Sequence, residues 1–198
     1  MLELDPKVPL YQSVRRGICR VPDEDSVADW NLQATDFLRG RGCSQYEISN
    51  FARPGCECRH NLKYWLCEPV LAFGVAGHSH DGVSRRANVS SPDSYMAAVG
   101  EGRSPVEWRE ELSVDCNIEE TIFLGLRLNR GLDWGRVRQL YRTDGLTAYK
   151  ALLEEAEEMG LLEWQDSVVR LTRRGMLLCN EVFQRFIKPD HKRSWRET

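Results

Sequence analysis

The chain has 198 residues, of which 41% are hydrophobic and 29% charged, and its formal net charge is -3. This length suits one medium domain, or a domain with a smaller module, and the apolar fraction is sufficient for a buried core. The slightly acidic charge gives no general attraction to nucleic acid, and no apolar run approaches the length of a membrane span. The first residues have neither a basic nor an apolar segment, so they predict a cytoplasmic protein without a signal peptide.

The first fifty residues predict a strand, a helix and a second strand. Leu2 and Leu4 flank an acidic residue, which is consistent with a short strand, and the prolines that follow impose an extended connection. Apolar residues recur at near-helical spacing over residues 22–38, and the pattern ends at Gly40. Residues 46–51 alternate in polarity and predict the second strand. This order is typical of one turn of an α/β barrel.

The middle of the chain is more polar. Residues 52–67 are predicted to be irregular, and the compact apolar run at residues 70–77 predicts a buried strand that ends in glycine. Polar loops follow, with a short helix expected around residues 91–99. A change in composition at residues 108–111 predicts a domain boundary.

From residue 117 onward the pattern is helical. Three helices are expected, then a hairpin with its turn near residues 165–167, then a last helix. The three helices are expected at residues 117–126, 134–141 and 146–159. The hairpin is expected at residues 160–171 and the last helix at residues 172–186. This order is typical of a winged-helix unit.

The densest group of chemically active side chains lies between residues 46 and 65. The sequence reads YEISNFARPG at residues 46–55 and HNLKYW at residues 60–65. It is too polar for a core strand and too aromatic for a linker. Because it combines groups that hydrogen-bond, ligate a metal and stack on a flat ring, it predicts an aromatic macrocycle or a nucleotide-like ligand.

These two motifs resemble the signature of the coproporphyrinogen III oxidase-like radical SAM family, and within it the heme-chaperone branch known as HemW. The resemblance extends from Met1 to about Ile187. It implies an α/β fold class, in which residues 1–107 are the last part of a partial β/α barrel. Residues 108–188 would then be a small winged-helix-like α+β domain, followed by a tail at residues 189–198.

The implied function is to bind heme and transfer it to an acceptor protein, in porphyrin and heme metabolism. Sister members carry out the oxygen-independent oxidative decarboxylation of coproporphyrinogen III with a radical derived from S-adenosylmethionine (SAM), and this is the first alternative. The second alternative is a non-enzymatic winged-helix module that docks a partner protein.

Complete members of the family hold a [4Fe-4S] cluster through a Cys-x3-Cys-x2-Cys loop and bind SAM beside it. That spacing does not occur in this sequence, whose opening MLELDPKVPLY instead resembles the family's late-barrel strand and turn. The resemblance therefore implies the C-terminal portion of a longer protein, and no radical activity is expected from this chain alone.

The seven cysteines are odd in number and irregular in spacing, which favours reduced thiols over a secreted disulfide framework. Cys56 and Cys58 have one residue between them, whereas structural zinc sites usually have about two to four. Ordinary thiols are thus the stronger interpretation, and a metal site at these cysteines is the weaker one.

His60 is the strongest single candidate for a ligand, because a neutral imidazole commonly binds heme iron. In a helical turn Tyr64 would share its face. The rings of Tyr64 and Trp65 could stack on a porphyrin, while Asn61 could hydrogen-bond a second-shell group or a propionate. In the alternative, Asn61 caps a turn, Tyr64 and Trp65 belong to the core, and His60 lies at the surface. The residues alone favour this alternative, and the family resemblance favours the heme-binding role.

A second set of candidates lies at the predicted barrel mouth, where late strands deliver functional side chains at their C-terminal ends. Tyr46, Glu47, Asn50 and Arg53 are expected to line a cofactor edge or pocket. Arg53 suits a carboxylate such as a propionate or the methionyl end of SAM. An ion pair between Glu47 and Arg53 that fixes the loop is equally open.

His78 and His80 are spaced so that they share one face of a strand. By family resemblance, the segment containing His78 lies near the SAM-binding edge of the barrel. His78 is therefore expected to line a pocket, and His80 is expected to face solvent.

The winged-helix part could suggest DNA binding, since it carries several arginines. The helix in the recognition position, residues 146–159, is instead rich in glutamate, and such a face repels phosphate. No nucleic-acid partner is predicted. The arginines concerned are Arg136, Arg138, Arg142, Arg173 and Arg174.

Overall fold

The structure, a computed structural model, describes residues 5–187. The strand predicted at Leu2 and Leu4 and the tail predicted at residues 189–198 lie outside this range. The described part is mixed α/β, and its strands form one two-stranded and two three-stranded antiparallel sheets. No helix within residues 5–187 is long and apolar enough to cross a membrane.

Two helices precede the first strand. Helix α1 (Pro9–Arg15) begins with proline, which suits a first helical turn because its missing N–H is not needed there. Helix α2 (Glu24–Gly40) is capped by Asp23, whose carboxylate accepts a hydrogen bond of 2.8 Å from the Ser26 backbone N–H. The helix predicted over residues 22–38 is confirmed, and α1 was not predicted.

The single strand predicted at residues 46–51 is wrong. The chain forms β1 (Ser44–Glu47), reverses, and pairs antiparallel with β2 (Asn50–Ala52). The reversal is fixed by Glu47, whose Oε1 accepts hydrogen bonds from the Ser49 N–H at 2.8 Å and from Asn50 Nδ2 at 2.6 Å. A side chain that satisfies the turn's own donors offers the backbone an alternative to a continuous strand.

The HNLKYW segment is helical, where the sequence suggested irregular structure. Helix α3 (Arg59–Trp65) contains all six residues. The buried strand predicted at residues 70–77 is wrong. Residues 71–77, all of them described, form no regular strand, and Phe73 is 82% exposed. The left-handed backbone at Gly74 (φ 93°) and Ala76 (φ 51°) interrupts the extended conformation that a strand requires.

The second sheet follows, with the order β3–β4–β5. Its strands are β3 (His78–His80), β4 (Ser84–Asn88) and β5 (Val106–Glu111). Helix α4 (Pro92–Gly100) connects β4 to β5 and confirms the helix predicted at residues 91–99. The predicted boundary between residues 107 and 108 falls inside β5. Because β5 pairs along its length with β4, we propose a boundary after Glu111 instead.

The remainder has the predicted order of three helices, a hairpin and closing helices. The sheet order is β6–β8–β7. The single last helix predicted over residues 172–186 is divided at Leu178, which has non-helical backbone angles (φ -107°, ψ 24°). The elements are α5 (Val114–Leu126), β6 (Leu132–Asp133), α6 (Trp134–Leu140), α7 (Leu146–Glu158), β7 (Leu162–Gln165), β8 (Val168–Leu171), α8 (Arg173–Leu177) and α9 (Cys179–Gln184).

The hydrophobic core lies mainly in this winged-helix-like part. Ile118, Ile122 and Leu126 of α5 are fully buried and pack in one cluster with residues of α7 and β8. Within the described chain, Ala87 and Ala98 are the buried hydrophobic residues before residue 112. The C-terminal part thus contains most of the buried core, and α3 contacts it through α5.

Candidate functional site

Helix α3 brings His60 and Tyr64 together, as their spacing predicted. The Tyr64 hydroxyl lies 3.2 Å from His60 Nε2, and the two rings meet edge to face with centroids 5.1 Å apart. His60 is exposed, and Tyr64 is 42% exposed. The pair forms a polar aromatic unit on one face of α3.

Trp65 is fixed by a group far away in the sequence. The guanidinium carbon of Arg127, the residue after α5, lies 4.2 Å from the centroid of its ring. Arg127 Nη2 also forms an ion pair with Glu47 Oε2 at 3.1 Å. Glu47 is completely buried, so it anchors the hairpin and does not line an open pocket. The predicted alternative of a pair with Arg53 is wrong, because the partner of Glu47 is Arg127.

A cavity of about 360 Å³ lies between α3, the sheet β3–β4–β5 and α5. This volume is within the range of small-molecule pockets, about 300–1,000 Å³. Aromatic rings and imidazoles form much of its wall, together with the ionisable side chains of Arg85, Glu110 and Glu120. The aromatic and imidazole residues are Tyr64, Trp65, His78, His80 and Trp108.

The predicted site residues divide into two groups. Tyr64, Trp65 and His78 line this cavity. The other six belong to the hairpin, to the segment that follows it or to the first turns of α3, and they are not among its lining residues: Tyr46, Glu47, Asn50, Arg53, His60 and Asn61.

Two residues that line the cavity were not predicted to do so. Trp108 was not a candidate, and His80 was expected to face solvent. Trp108 packs against His78 with ring centroids 5.9 Å apart. It comes from β5, and only the pairing of β4 with β5 brings it to the cavity. His80 does not face solvent as predicted, since its Nε2 atom is buried. The aromatic character of residue 108 was visible in the sequence, but its long-range pairing was not.

The two histidines differ in their environment. His78 Nδ1 lies 2.9 Å from the carbonyl oxygen of Ala76. His80 Nε2 has no hydrogen-bond partner among residues 5–187. Burial, and then the positive charge of Arg85, lower the pKa of His80, so its imidazole is neutral at pH 7.

Arg85 and Glu120, which both line the cavity, form an ion pair. Burial raises the pKa of Glu120, and the guanidinium of Arg85 opposes that rise. Burial also raises the pKa of Cys67, which lines the cavity, to about 11. Cys67 is therefore a thiol at neutral pH, and a thiol is a poor metal ligand.

The described residues do not fit an iron-sulfur cluster. Within residues 5–187, no group of three or more His, Cys, Asp or Glu side chains is arranged to hold a metal ion. The Cys-x3-Cys-x2-Cys loop is missing from the sequence as well.

Comparison with known proteins supports the same reading of the fold. Residues 112–178 match the family model of the HemN C-terminal domain. The chain has a TM-score of 0.68 and 20% identity to coproporphyrinogen III oxidase (HemN) from Escherichia coli, described as a radical SAM enzyme, over 90% of this chain and 45% of that one. This likeness confirms the α/β fold class.

Sequence similarity is higher to the heme chaperones HemW. The chain is 35% identical to that of Bacillus subtilis over 188 residues, which cover 94% of this chain and 49% of the relative. It is also 35% identical to that of Mycobacterium tuberculosis over 173 residues, or 87% of this chain and 42% of the relative. The chain thus spans about half the length of these relatives or less. The predicted resemblance is confirmed: over the portion that it spans, the chain is similar to the HemW heme chaperones, and its residues 112–178 match the HemN C-terminal domain.

Proposed function

We propose that this chain binds heme in the cavity between α3 and the sheet β3–β4–β5, as part of a heme chaperone that passes heme to an acceptor protein. One observation carries the proposal. The HNLKYW helix places Tyr64 and Trp65 on a cavity wall that also contains Trp108 and two histidines. Flat aromatic surfaces and imidazole side chains suit an iron porphyrin.

The HemW relatives, which are named heme chaperones, support this proposal over the decarboxylase alternative. In complete relatives, SAM and the cluster would belong to the barrel. Tyr46, Asn50 and Arg53 stay predictions for a cofactor edge there.

Within the proposal, Trp65 is the stacking residue, and His60 holds Tyr64 at the edge of the cavity through the contact between Nε2 and the hydroxyl. Asn61 is a candidate donor to a propionate. That His60 binds the iron itself stays a prediction, since its exposed ring is not among the lining residues of the cavity.

The test is a titration of hemin into the purified chain, followed at the Soret band. Replacing Trp65 by leucine removes the stacking surface, which is worth about 1 kcal/mol, so the dissociation constant should rise about fivefold. Trp30→Leu is the matched control, because Trp30 is 56% exposed on α2 and does not line the cavity. The proposal fails if the wild-type chain shows no saturable Soret change, or if both variants bind as the wild type does.

A further inference from the structure

Helix α6 and the turns beside it carry four exposed arginines. Arg136 and Arg138 lie in the helix, Arg142 follows it, and Arg130 precedes β6. None of the four forms an ion pair with another residue of the range 5–187. Because the chain as a whole has a net charge of -3, this surface differs in sign from the rest of the molecule and can attract an acidic partner.

Two of these arginines line concave surfaces. Arg138 and Arg142 both line a cavity of about 410 Å³ beside the first turn of α7, where Lys150 is a third basic side chain. The same two arginines line a second cavity of about 380 Å³. A guanidinium group can contact a carboxylate through two parallel hydrogen bonds. Two such groups at one concave surface therefore suit the side chains of aspartate and glutamate.

Helix α6 also adjoins the candidate heme cavity. A groove of about 540 Å³ lies between α6 and the end of α3. Arg136 and Leu140 line it on one side, and Trp65 and Cys67, which also line the candidate heme cavity, line it on the other. Leu140 is 59% exposed and offers an apolar contact beside the charges. A protein bound to α6 would thus lie next to the candidate heme site.

A nucleic acid suits this surface less well than an acidic protein segment does. The next helix, α7, has four exposed glutamates that would repel a phosphate backbone extending past α6. Protein interfaces, in contrast, are enriched in arginine and combine charged with apolar contacts, as Arg136 and Leu140 would here. The glutamates concerned are Glu154, Glu155, Glu157 and Glu158.

We propose that α6, with Arg136, Arg138, Leu140 and Arg142, docks an acidic segment of a partner protein. The arginines attract the segment and set the salt dependence of binding, and Leu140 contacts one of its apolar side chains. The docking itself does not depend on heme binding. The identity of the partner as the protein that receives heme rests on the proposed function, since the docked segment lies beside the heme cavity.

The test uses a fluorescein-labelled peptide of glutamate residues interrupted by single leucines, added to the whole chain without hemin. Its anisotropy should rise to saturation, and its affinity should fall as salt is raised from about 50 to 200 mM. Arg138→Gln/Arg142→Gln should weaken binding by about tenfold, because two exposed ion pairs are lost. Leu140→Ser should weaken it by about threefold without altering the salt dependence, because only apolar contact is lost.

Arg15→Gln/Arg16→Gln is the matched control, because it removes the same charge from two exposed arginines that line none of these cavities. It should bind the peptide as the wild type does, and circular dichroism should show that both double variants keep the wild-type fold. The inference is overturned if the wild type shows no saturable binding, or if both double variants weaken it equally, which would indicate a general charge effect. It is also overturned if single-stranded DNA of the same length binds as tightly as the peptide. Because no hemin is present, these outcomes are separate from the hemin titration that tests the proposed function.

Discussion

Arg127 joins the C-terminal part to the hairpin through its ion pair with Glu47 and to α3 through its contact with the Trp65 ring, and its replacement gives the most quantitative prediction. Replacing Arg127 by methionine keeps an aliphatic chain but leaves a completely buried carboxylate with only the Ser49 and Asn50 donors. Breaking such a pair costs about 3–5 kcal/mol. The lost contact with the Trp65 ring adds about 0.5–2 kcal/mol.

Because the Arg127 side chain is 24% exposed, the lower part of the range applies, and we expect a loss of about 3 kcal/mol in the free energy of unfolding. With a urea m-value of about 2 kcal/mol/M, the midpoint of unfolding should fall by about 1.5 M. Circular dichroism during urea titration measures it. Hemin affinity should fall as well, since Trp65 loses its support.

The matched control is Arg39→Met. Arg39 pairs with Asp36 at 3.4 Å, but both side chains are more than half exposed, so the loss should be below about 1 kcal/mol. The double variant Glu47→Gln/Arg127→Met should be more stable than the sum of the two single losses predicts, because no unpaired charge remains buried. A loss below about 1 kcal/mol for Arg127→Met itself would refute the reasoning.

Three further predictions concern separate parts of the chain. Gly131→Ala should destabilise more than Gly160→Ala by about 1–3 kcal/mol in urea unfolding. Both glycines have positive φ, but a Cβ at Gly131 would lie 2.5 Å from a backbone oxygen of β8, whereas one at Gly160 meets open space; equal losses would contradict this. At pH 8, Cys67 and Cys116 should be alkylated slowly, and faster as pH rises, because burial raises their pKa to about 11 and about 12. Mass spectrometry after iodoacetamide treatment measures this against the exposed thiols of Cys19, Cys56 and Cys58, and comparable rates would count against it. Fluorescence anisotropy of a labelled DNA duplex should not change, because α7 presents an acidic face; a rise that weakens from about 50 to 200 mM salt would show the expectation to be wrong.

The helices and the last hairpin were predictable because their signals are local. Helix α2 has a capping aspartate and an apolar period of 3.6 residues, and the β7–β8 turn occurs at the predicted place, where Asp166 adopts a positive φ. The hairpin β1–β2 was not predictable from residues 46–51 alone, since Glu47, which fixes its turn, is itself held by Arg127, 80 residues further along.

The site was predictable only in part for the same reason. Tyr64, Trp65 and His78 were found through the motif and the resemblance. Trp108 reaches the cavity through the pairing of β5 with β4, and His80 lines the same cavity with its Nε2 atom buried, because the sheet carrying it packs near α3 and α5. The alternation of a strand indicates which residues share a face, but not what covers that face.

Hydrogen exchange with and without hemin tests the central claim most directly, because it locates the bound porphyrin along the chain. We predict that hemin slows amide exchange in α3, β3 and β5 and leaves α7 and the β7–β8 hairpin unchanged, as those elements do not line the cavity. Protection confined to other elements, or no protection at saturating hemin, would contradict the account.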